Sequence, residues 1–348
     1  MTAGFQEVID SKGRKIRGSG FIVRSALILS VLAAVLIFFV VLTISSSNHL
    51  MNIDKNSVSN VPSNILPSYS PCSFTSFDGQ TLLSGWFFQT DDPITTVIVV
   101  HDTGSNRLPF GVNMVDLVEQ LLENHYNVFL FDQRNSGESE GDVCNYGYLE
   151  WQDVMGAIAQ VRSISVTKNV VLYGIGTGCT SSMIAYDELP APGLSEADLN
   201  DYSYEIRRLE FDKSYIIGMI FDSPAKSSDD YIRARVEQTE FLGNITQNFV
   251  PYAIRLSAGE RNPVNLVAEI SRVQIPVCII YGGHDTFIGA DKISQIVEER
   301  NRLNSSLTIA RMIPGAGYLE SFKIGKEAYI ETIMTYMQSY FISSTEYG

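Results

Sequence analysis

The stretch Val170-Val171-Leu172-Tyr173-Gly174-Ile175-Gly176-Thr177-Gly178 decides how this chain folds. An apolar run of strand type ends in three glycines at every second position, and Cys179 to Tyr186 then reads as the start of a helix. That is the outline of a nucleophile elbow, G-x-S-x-G, a tight strand-to-helix turn whose central side chain stands above the sheet for attack. Here the central residue is Gly176. The turn is present without its nucleophile.

Outward from the elbow, strands and helices alternate. Ser73 to Phe88 carries two β runs around Asp78-Gly79, which predicts a hairpin. Thr95 to His101 is continuously apolar up to its final histidine, as expected inside a parallel sheet. Residues 112–125 place Met114, Val115, Val118, Leu121 and Leu122 at helical spacing, and Asn127 to Asp132 is another strand. Val154, Ala157, Ile158 and Val161 share one helix face just before the elbow strand. Beyond the elbow, Tyr215–Phe221, Val277–Tyr281 and Leu307–Ile313 read as strands, and Ile293–Leu303 and Glu327–Phe341 as helices. This order predicts an α/β fold: a mostly parallel, doubly wound sheet with helices on both faces and an antiparallel start. Two stretches interrupt it. Residues 187–213 form an acidic insertion, and 224–270, mostly helical, are placed as a cap over the C-terminal edge of the strands.

Ahead of this domain, taken as 71–348, Ser25 to Ile53 lacks any formal charge and Ala26 to Ile44 is almost wholly apolar. A helix of roughly 20 such residues spans about 30 Å of hydrocarbon. A cleavable signal has an apolar region of about 7–15 residues before an A-x-A site, and Thr43-Ile44-Ser45-Ser46 is not one. Residues 25–45 are therefore read as a transmembrane signal anchor, with the membrane as a partner through that segment. Residues 1–24 hold Lys12, Arg14, Lys15, Arg17 and Arg24 against Glu7 and Asp10, a basic tail of net charge +3. Positive residues before the span predict a single-pass protein of the cell membrane with a cytoplasmic N-terminus and an extracytoplasmic domain. Residues 46–70, rich in Ser and Asn with Pro62 and Pro67, are expected to be a flexible linker.

The 348 residues carry a net charge of −14, which leaves −17 outside the basic tail. So acidic a body is repelled by phosphate backbones, which excludes nucleic acid as a partner. Cys72, Cys144, Cys179 and Cys278 show no C-x-x-C spacing, and no pair among His49, His101, His125 and His284 has metal-ligand spacing; neither metal nor cofactor is expected. Cys179 and Cys278 sit in apolar context and read as core. Cys72 and Cys144 lie in polar segments, and a disulfide between them stays open.

From Ser73 to the C-terminus, five blocks in order resemble the α/β-hydrolases, in particular the serine aminopeptidase and acylglycerol-lipase-like branch. His101-Asp102-Thr103-Gly104-Ser105-Asn106-Arg107 stands where that family has a His-Gly oxyanion loop. Asp132 to Ser139 resembles the D-x-R-G-x-G-x-S turn, and Gly174 to Gly178 the elbow. Ile279 to Asp285 resembles the strand that delivers the triad acid, and Ile313 to Glu320 the loop that delivers the triad histidine. The resemblance implies the α/β-hydrolase fold. It maps the nucleophile to Gly176, the histidine to Tyr318 and the acid to Asp285, with oxyanion-hole positions at Asp102, Thr103 and Thr177.

The chemistry of these residues departs from the pattern. A triad needs a hydroxyl to attack, an imidazole to take its proton and a carboxylate to orient the imidazole. Gly176 has no side chain, and a tyrosine with a pKa near 10 is a poor base at neutral pH. Asp102, in place of glycine, brings a carboxylate toward the oxyanion hole. The expectation is a pseudoenzyme that binds an unidentified ligand or protein. The alternative is ester or peptide hydrolysis through a relocated nucleophile, Cys179 or Thr177 with His101 or His284, with Ser181 and Ser182 also at hand after the elbow. The remaining marked residues have structural readings. Asp285 and Tyr318 are expected to hydrogen-bond each other, Glu150 and Asp153 to serve a helix dipole, and Arg107 and Arg134 to form internal ion pairs. Restoring the triad by Gly176→Ser with Tyr318→His is expected to produce esterase activity if the loops keep their geometry. Asn244-Ile245-Thr246 and Asn304-Ser305-Ser306 fit the N-glycosylation pattern.

Overall fold

A computed structural model of the chain describes residues 19–58, 61, 65–260 and 262–342. The basic residues Lys12, Arg14, Lys15 and Arg17 lie outside the described residues, as does Pro62. Helix α1 (Ser19–Met51) is the long apolar helix, followed by the hairpin β1 (Tyr69–Thr75) and β2 (Leu82–Phe88) around Asp78-Gly79. Then come β3 (Thr95–Val100), α2 (Met114–Glu123), β4 (Tyr126–Phe131), α3 (Trp151–Ile164), β5 (Val170–Ile175) and α4 (Gly178–Glu188). The acidic insertion contributes two single turns, α5 (Glu196–Leu199) and α6 (Tyr204–Arg207), and leads into β6 (Ile216–Asp222). The cap consists of α7 (Ser228–Thr239), α8 (Gly243–Thr246), α9 (Val250–Ser257) and α10 (Leu266–Arg272). The chain closes with β7 (Val277–Gly282), α11 (Ala290–Asn304), β8 (Thr308–Ile313), α12 (Ser321–Ile324) and α13 (Lys326–Tyr340).

The eight strands form one sheet in the order β1-β2-β4-β3-β5-β6-β7-β8. The pairs β1·β2 and β2·β4 are antiparallel and the other five parallel. Strands β3, β4 and β5 are buried along their whole length, which is why their sequences are continuously apolar rather than alternating. Apolar clusters fill both faces, so helices on each side bury the sheet as doubly wound topology requires. That places the ends of β3, β5, β6 and β7 side by side at one edge of the sheet, under the cap.

The start of the expected linker, 46–70, is folded. Helix α1 runs on through the polar residues 45–49 to Met51. Ser47 donates its hydroxyl to the Thr43 carbonyl one turn back (2.7 Å), so the polar residues are satisfied inside the helix. Docking supplies the rest: Leu50 and Met51 are buried against the domain, and the Met51 carbonyl accepts the Cys144 amide (2.9 Å). The following residues are also held, for the Ile53 carbonyl accepts from Asn135 Nδ2 (3.2 Å) and Lys55 Nζ donates to the Ser139 carbonyl (2.7 Å). Residues 46–58 are thus part of the folded body, and the expected flexible linker is corrected there.

Candidate functional site

The elbow has the expected geometry. Gly176 sits at φ +56°, a left-handed conformation that costs a residue with a Cβ of order 1–3 kcal/mol and glycine almost nothing. Its amide donates to the Asp222 carbonyl (2.9 Å), and α4 begins at Gly178. Gly178 lies so close to β3 that a Cβ there would be 2.1 Å from the Val100 carbonyl oxygen. The turn is tight because its glycines let three backbones meet.

The space above the turn is filled. A Cβ on Gly176 would stand 2.4 Å from Asp102 Oδ1 and 2.5 Å from the Tyr318 hydroxyl, far inside van der Waals contact. Asp102, on the loop after β3, is buried, and its Oδ1 accepts from the Thr177 amide (2.8 Å), the Thr177 hydroxyl (2.9 Å) and the Tyr318 hydroxyl (3.2 Å). In an elbow hydrolase the oxyanion is held by the amide after the nucleophile and by an amide of the loop after β3. Here the first is Thr177 N–H, taken by Asp102. Another amide of that loop, Thr103 N–H, is also taken and donates to Thr177 Oγ1 (2.8 Å). The Asp102 carboxyl group thus lies where developing negative charge would need donors, and in its ionised form it repels a second negative charge there. Burial raises the Asp102 carboxyl above its usual range, and the two Thr177 bonds oppose that rise. The Arg235 guanidinium of α7, stacked 5.2 Å from the Phe287 ring, also favours the ionised form.

Tyr318 does not bond Asp285, which corrects that expectation. Its ring packs 4.5 Å from Phe287 and 6.4 Å from Tyr231, and the hydroxyl reaches past the acid to Asp102. Burial and the Asp102 charge push the Tyr318 hydroxyl well above its ordinary value, so it donates a proton and does not accept one. Asp285, buried at the end of the β7 loop, uses Oδ1 to accept the amides of Phe287 (2.8 Å) and Ile288 (2.9 Å). Its Oδ2 has no hydrogen-bond partner among the described residues, and no imidazole among them is hydrogen-bonded to Asp285.

Among the described residues none of the candidate nucleophiles after the elbow is hydrogen-bonded to an imidazole. Cys179 is fully buried, with Sγ against the carbonyls of Gly174 (3.3 Å) and Asp222 (3.6 Å), and burial raises its thiol well above the ordinary value. The Thr177 hydroxyl is spent on Asp102. His101 is locked as a neutral ring: the Gln133 amide donates to Nε2 (3.0 Å), so Nδ1 carries the proton and donates to the Asp102 carbonyl (2.8 Å). Burial lowers its pKa, in keeping with that state. His284 is exposed, and Ser181 donates to Gln133 Oε1 (3.3 Å) and the Thr177 carbonyl (3.3 Å). The imidazoles and the hydroxyls are not brought together.

Other marked residues form the frame of the site. Arg107 pairs with Asp132 and Glu138, and Arg134 with Asp153 and Asp78, as expected of internal ion pairs. Glu150 and Asp153 do more than face a helix dipole. Glu150 accepts the amides of Asn145 (2.6 Å) and Gly147 (2.8 Å), and Asp153 binds Arg134 and the Ser76 hydroxyl. Cys72 and Cys144 are free thiols whose Sγ atoms lie on separate backbone carbonyls, those of Gly85 and of Leu50 and Met51.

Sequence reasoning missed Asp222. It closes β6, fully buried, and accepts from the Tyr329 hydroxyl (2.8 Å) and Ser223 Oγ (2.9 Å), while Tyr329 in turn meets the Tyr173 hydroxyl. A lone Asp after a strand carries no spacing signal. Burial lifts its carboxyl from 3.8 to about 6. Between those values the folded chain keeps a proton that the unfolded chain has lost. Its contribution to stability therefore falls as pH rises from about 4 to about 6 and is flat above. That rise in pKa amounts to roughly 3 kcal/mol. Urea unfolding of wild type and Asp222→Asn in detergent micelles should show the variant gaining by this amount, relative to wild type, between pH 4 and pH 6.5. A difference that stays constant with pH would rule the assignment out.

No family model matches the chain. Among curated proteins it is 36% identical over 112 residues to the uncharacterized protein YfhR of Escherichia coli strain K12, covering 30% of this chain and 37% of that one. The chain thus aligns with little more than a third of the length of YfhR. It is 20% identical over 262 residues to the uncharacterized protein YqkD of Bacillus subtilis strain 168, covering 74% and 75% of the two chains. Among solved structures, an esterase of Pyrococcus furiosus superposes with a TM-score of 0.62 at 18% identity, covering 84% of this chain and 99% of that one. The α/β hydrolase GrgF of Penicillium sp. gives 0.55 at 15% identity over 79% and 99% of the chains. Est1E of Butyrivibrio proteoclasticus with bound ferulic acid gives 0.55 at 14% identity over 77% and 99%. With its sheet order, its elbow between β5 and α4 and this shared architecture, the chain has the α/β-hydrolase fold, preceded by a helix long and apolar enough to cross a membrane.

Proposed function

We propose that this chain is a membrane-anchored pseudoenzyme: an α/β-hydrolase-fold domain retired from serine hydrolysis that works by binding a ligand or a protein partner. One observation carries the reading, the Asp102 carboxylate hydrogen-bonded to Thr177 N–H in the space above Gly176. A site that had lost only its serine would keep open oxyanion donors and a residual rate of about 10³–10⁴ over water. This site has its donors engaged by its own anion, so even that remnant is suppressed. The esterase neighbours make ester hydrolysis the natural rival, and the burial of Cys179 and the engagement of Thr177 speak against it. The anchor at residues 25–45 and an extracytoplasmic domain belong to the same proposal. They are supported by the apolar α1 and by the basic residues that precede it.

A fluorophosphonate probe tests the reading. The full-length chain in detergent should remain unlabelled at concentrations that saturate an active serine hydrolase. Labelling of the wild type that persists in Gly176→Ala would overturn the proposal.

A further inference from the structure

Helix α1 and the cap meet over a longer stretch than an anchor needs. Phe39, Leu42 and Thr43 are half-buried and Ser46, Ser47, Leu50 and Met51 buried, all on one helix face at spacings of three and four. Helix α1 packs there against α8 and α9. The apolar run ends near Ile44, and the buried residues of α1 begin just beyond it at Ser46. If α1 spans a bilayer, the cap helices that pack on α1 stand at the level of the headgroups.

The cap surface beside this contact is built for such a place. Phe241, Ile245, Phe249, Tyr252 and Leu256 are exposed by 69%, 39%, 54%, 55% and 56%. On α9, Phe249, Tyr252 and Leu256 project from one side while Val250 and Ile254 are buried on the other. Residues 241–258 contain a single formal charge, Arg255, which is buried and paired with Asp229 (3.1 Å). A surface free of exposed charge, whose apolar side chains stand among Asn244, Gln247 and Asn248, is inexpensive to place at the edge of lipid.

We propose that the α8–α9 segment lies in the headgroup–acyl boundary of the bilayer that α1 crosses, so that the domain is seated on the membrane and not held away from it. The proposal rests on α1 being a membrane span. Interfacial helices bury an apolar face about 5–10 Å deep, which the exposed Phe249, Tyr252 and Leu256 side chains supply here. Tyr252 suits the same level, where aromatic side chains concentrate. Asn244 stands on this face, and a glycan on it would not fit against lipid.

The test uses the full chain in phosphatidylcholine nanodiscs whose acyl chains are brominated at positions 6 and 7. Tryptophan is placed at Phe249, at Leu32 in α1, or at Val166 on the opposite edge of the domain, with the emission of the parent chain subtracted. Bromine should quench Phe249→Trp and Leu32→Trp at least about twofold and leave Val166→Trp nearly unchanged. Quenching of Leu32→Trp without Phe249→Trp would overturn the seated cap and leave the anchor standing. Absence of quenching at Leu32→Trp would overturn both. Equal quenching at Val166→Trp, or a glycan mapped to Asn244, would also overturn the proposal.

Discussion

A chain carrying Asp102→Gly, Gly176→Ser and Tyr318→His is expected to hydrolyse p-nitrophenyl acetate at least about 10³ times faster than wild type. The double variant that keeps Asp102 should remain about 10²–10³ below it. Putting back the serine and the histidine is not enough, because the new Cβ would meet Asp102 Oδ1 at 2.4 Å and the oxyanion donor would still be engaged. Removing the carboxylate frees Thr177 N–H and clears the space for the hydroxyl. Asp285 is already in place, with its Oδ2 unpartnered, to orient a histidine at 318. Initial rates and a fluorophosphonate active-site titration check both variants. Equal rates for the double and triple variants would mean that Asp102 is not what silences the site.

The second large effect is on stability. Gly176→Ala should cost about 3 kcal/mol, part from the left-handed φ of +56° and part from the collision with Asp102 and Tyr318. For a domain of this size that lowers Tm by roughly 6–10 °C. In an Asp102→Gly background the collision with Asp102 is relieved while the contact with Tyr318 and the backbone cost remain, so the penalty should shrink by about 1–2 kcal/mol. Thermal unfolding of the four chains of this cycle in detergent measures the coupling. Additivity within about 0.5 kcal/mol would contradict a filled site.

Much of this was legible in residue order, for physical reasons that differ by element. The strands β3, β4 and β5 are buried on both faces, and only continuous apolar runs survive there, so they announce themselves. The elbow is legible because glycines at 176 and 178 are demanded by a positive φ and by the approach of Val100. Gly176 and Tyr318 were singled out by the resemblance of their blocks to the α/β-hydrolases, not by spacing. The partner of Tyr318 could not be placed in that way, because a phenol reaches farther than an imidazole and its target depends on how two distant loops meet. The same holds for Asp222, whose importance comes from Tyr329 and Tyr173 arriving from other elements. That the helix of the apolar run continues to Met51 was not legible, because residues 45–49 are polar and carry no apolar periodicity. Ser47 satisfies itself on Thr43, and burial of Leu50 and Met51 holds the last turn. Tertiary docking there overrides local propensity.

The amide of Thr177 reports most directly on whether Asp102 fills the oxyanion hole. In a threonine-selective ¹⁵N-labelled full-length chain, its proton resonance should lie downfield as a charge-assisted hydrogen bond and exchange slowly with water. It should lose both properties in Asp102→Gly and ignore an added trifluoromethyl ketone. An amide that exchanges freely in wild type, or that shifts when the ketone is added, would show the hole open and contradict the reading of a site closed by its own carboxylate.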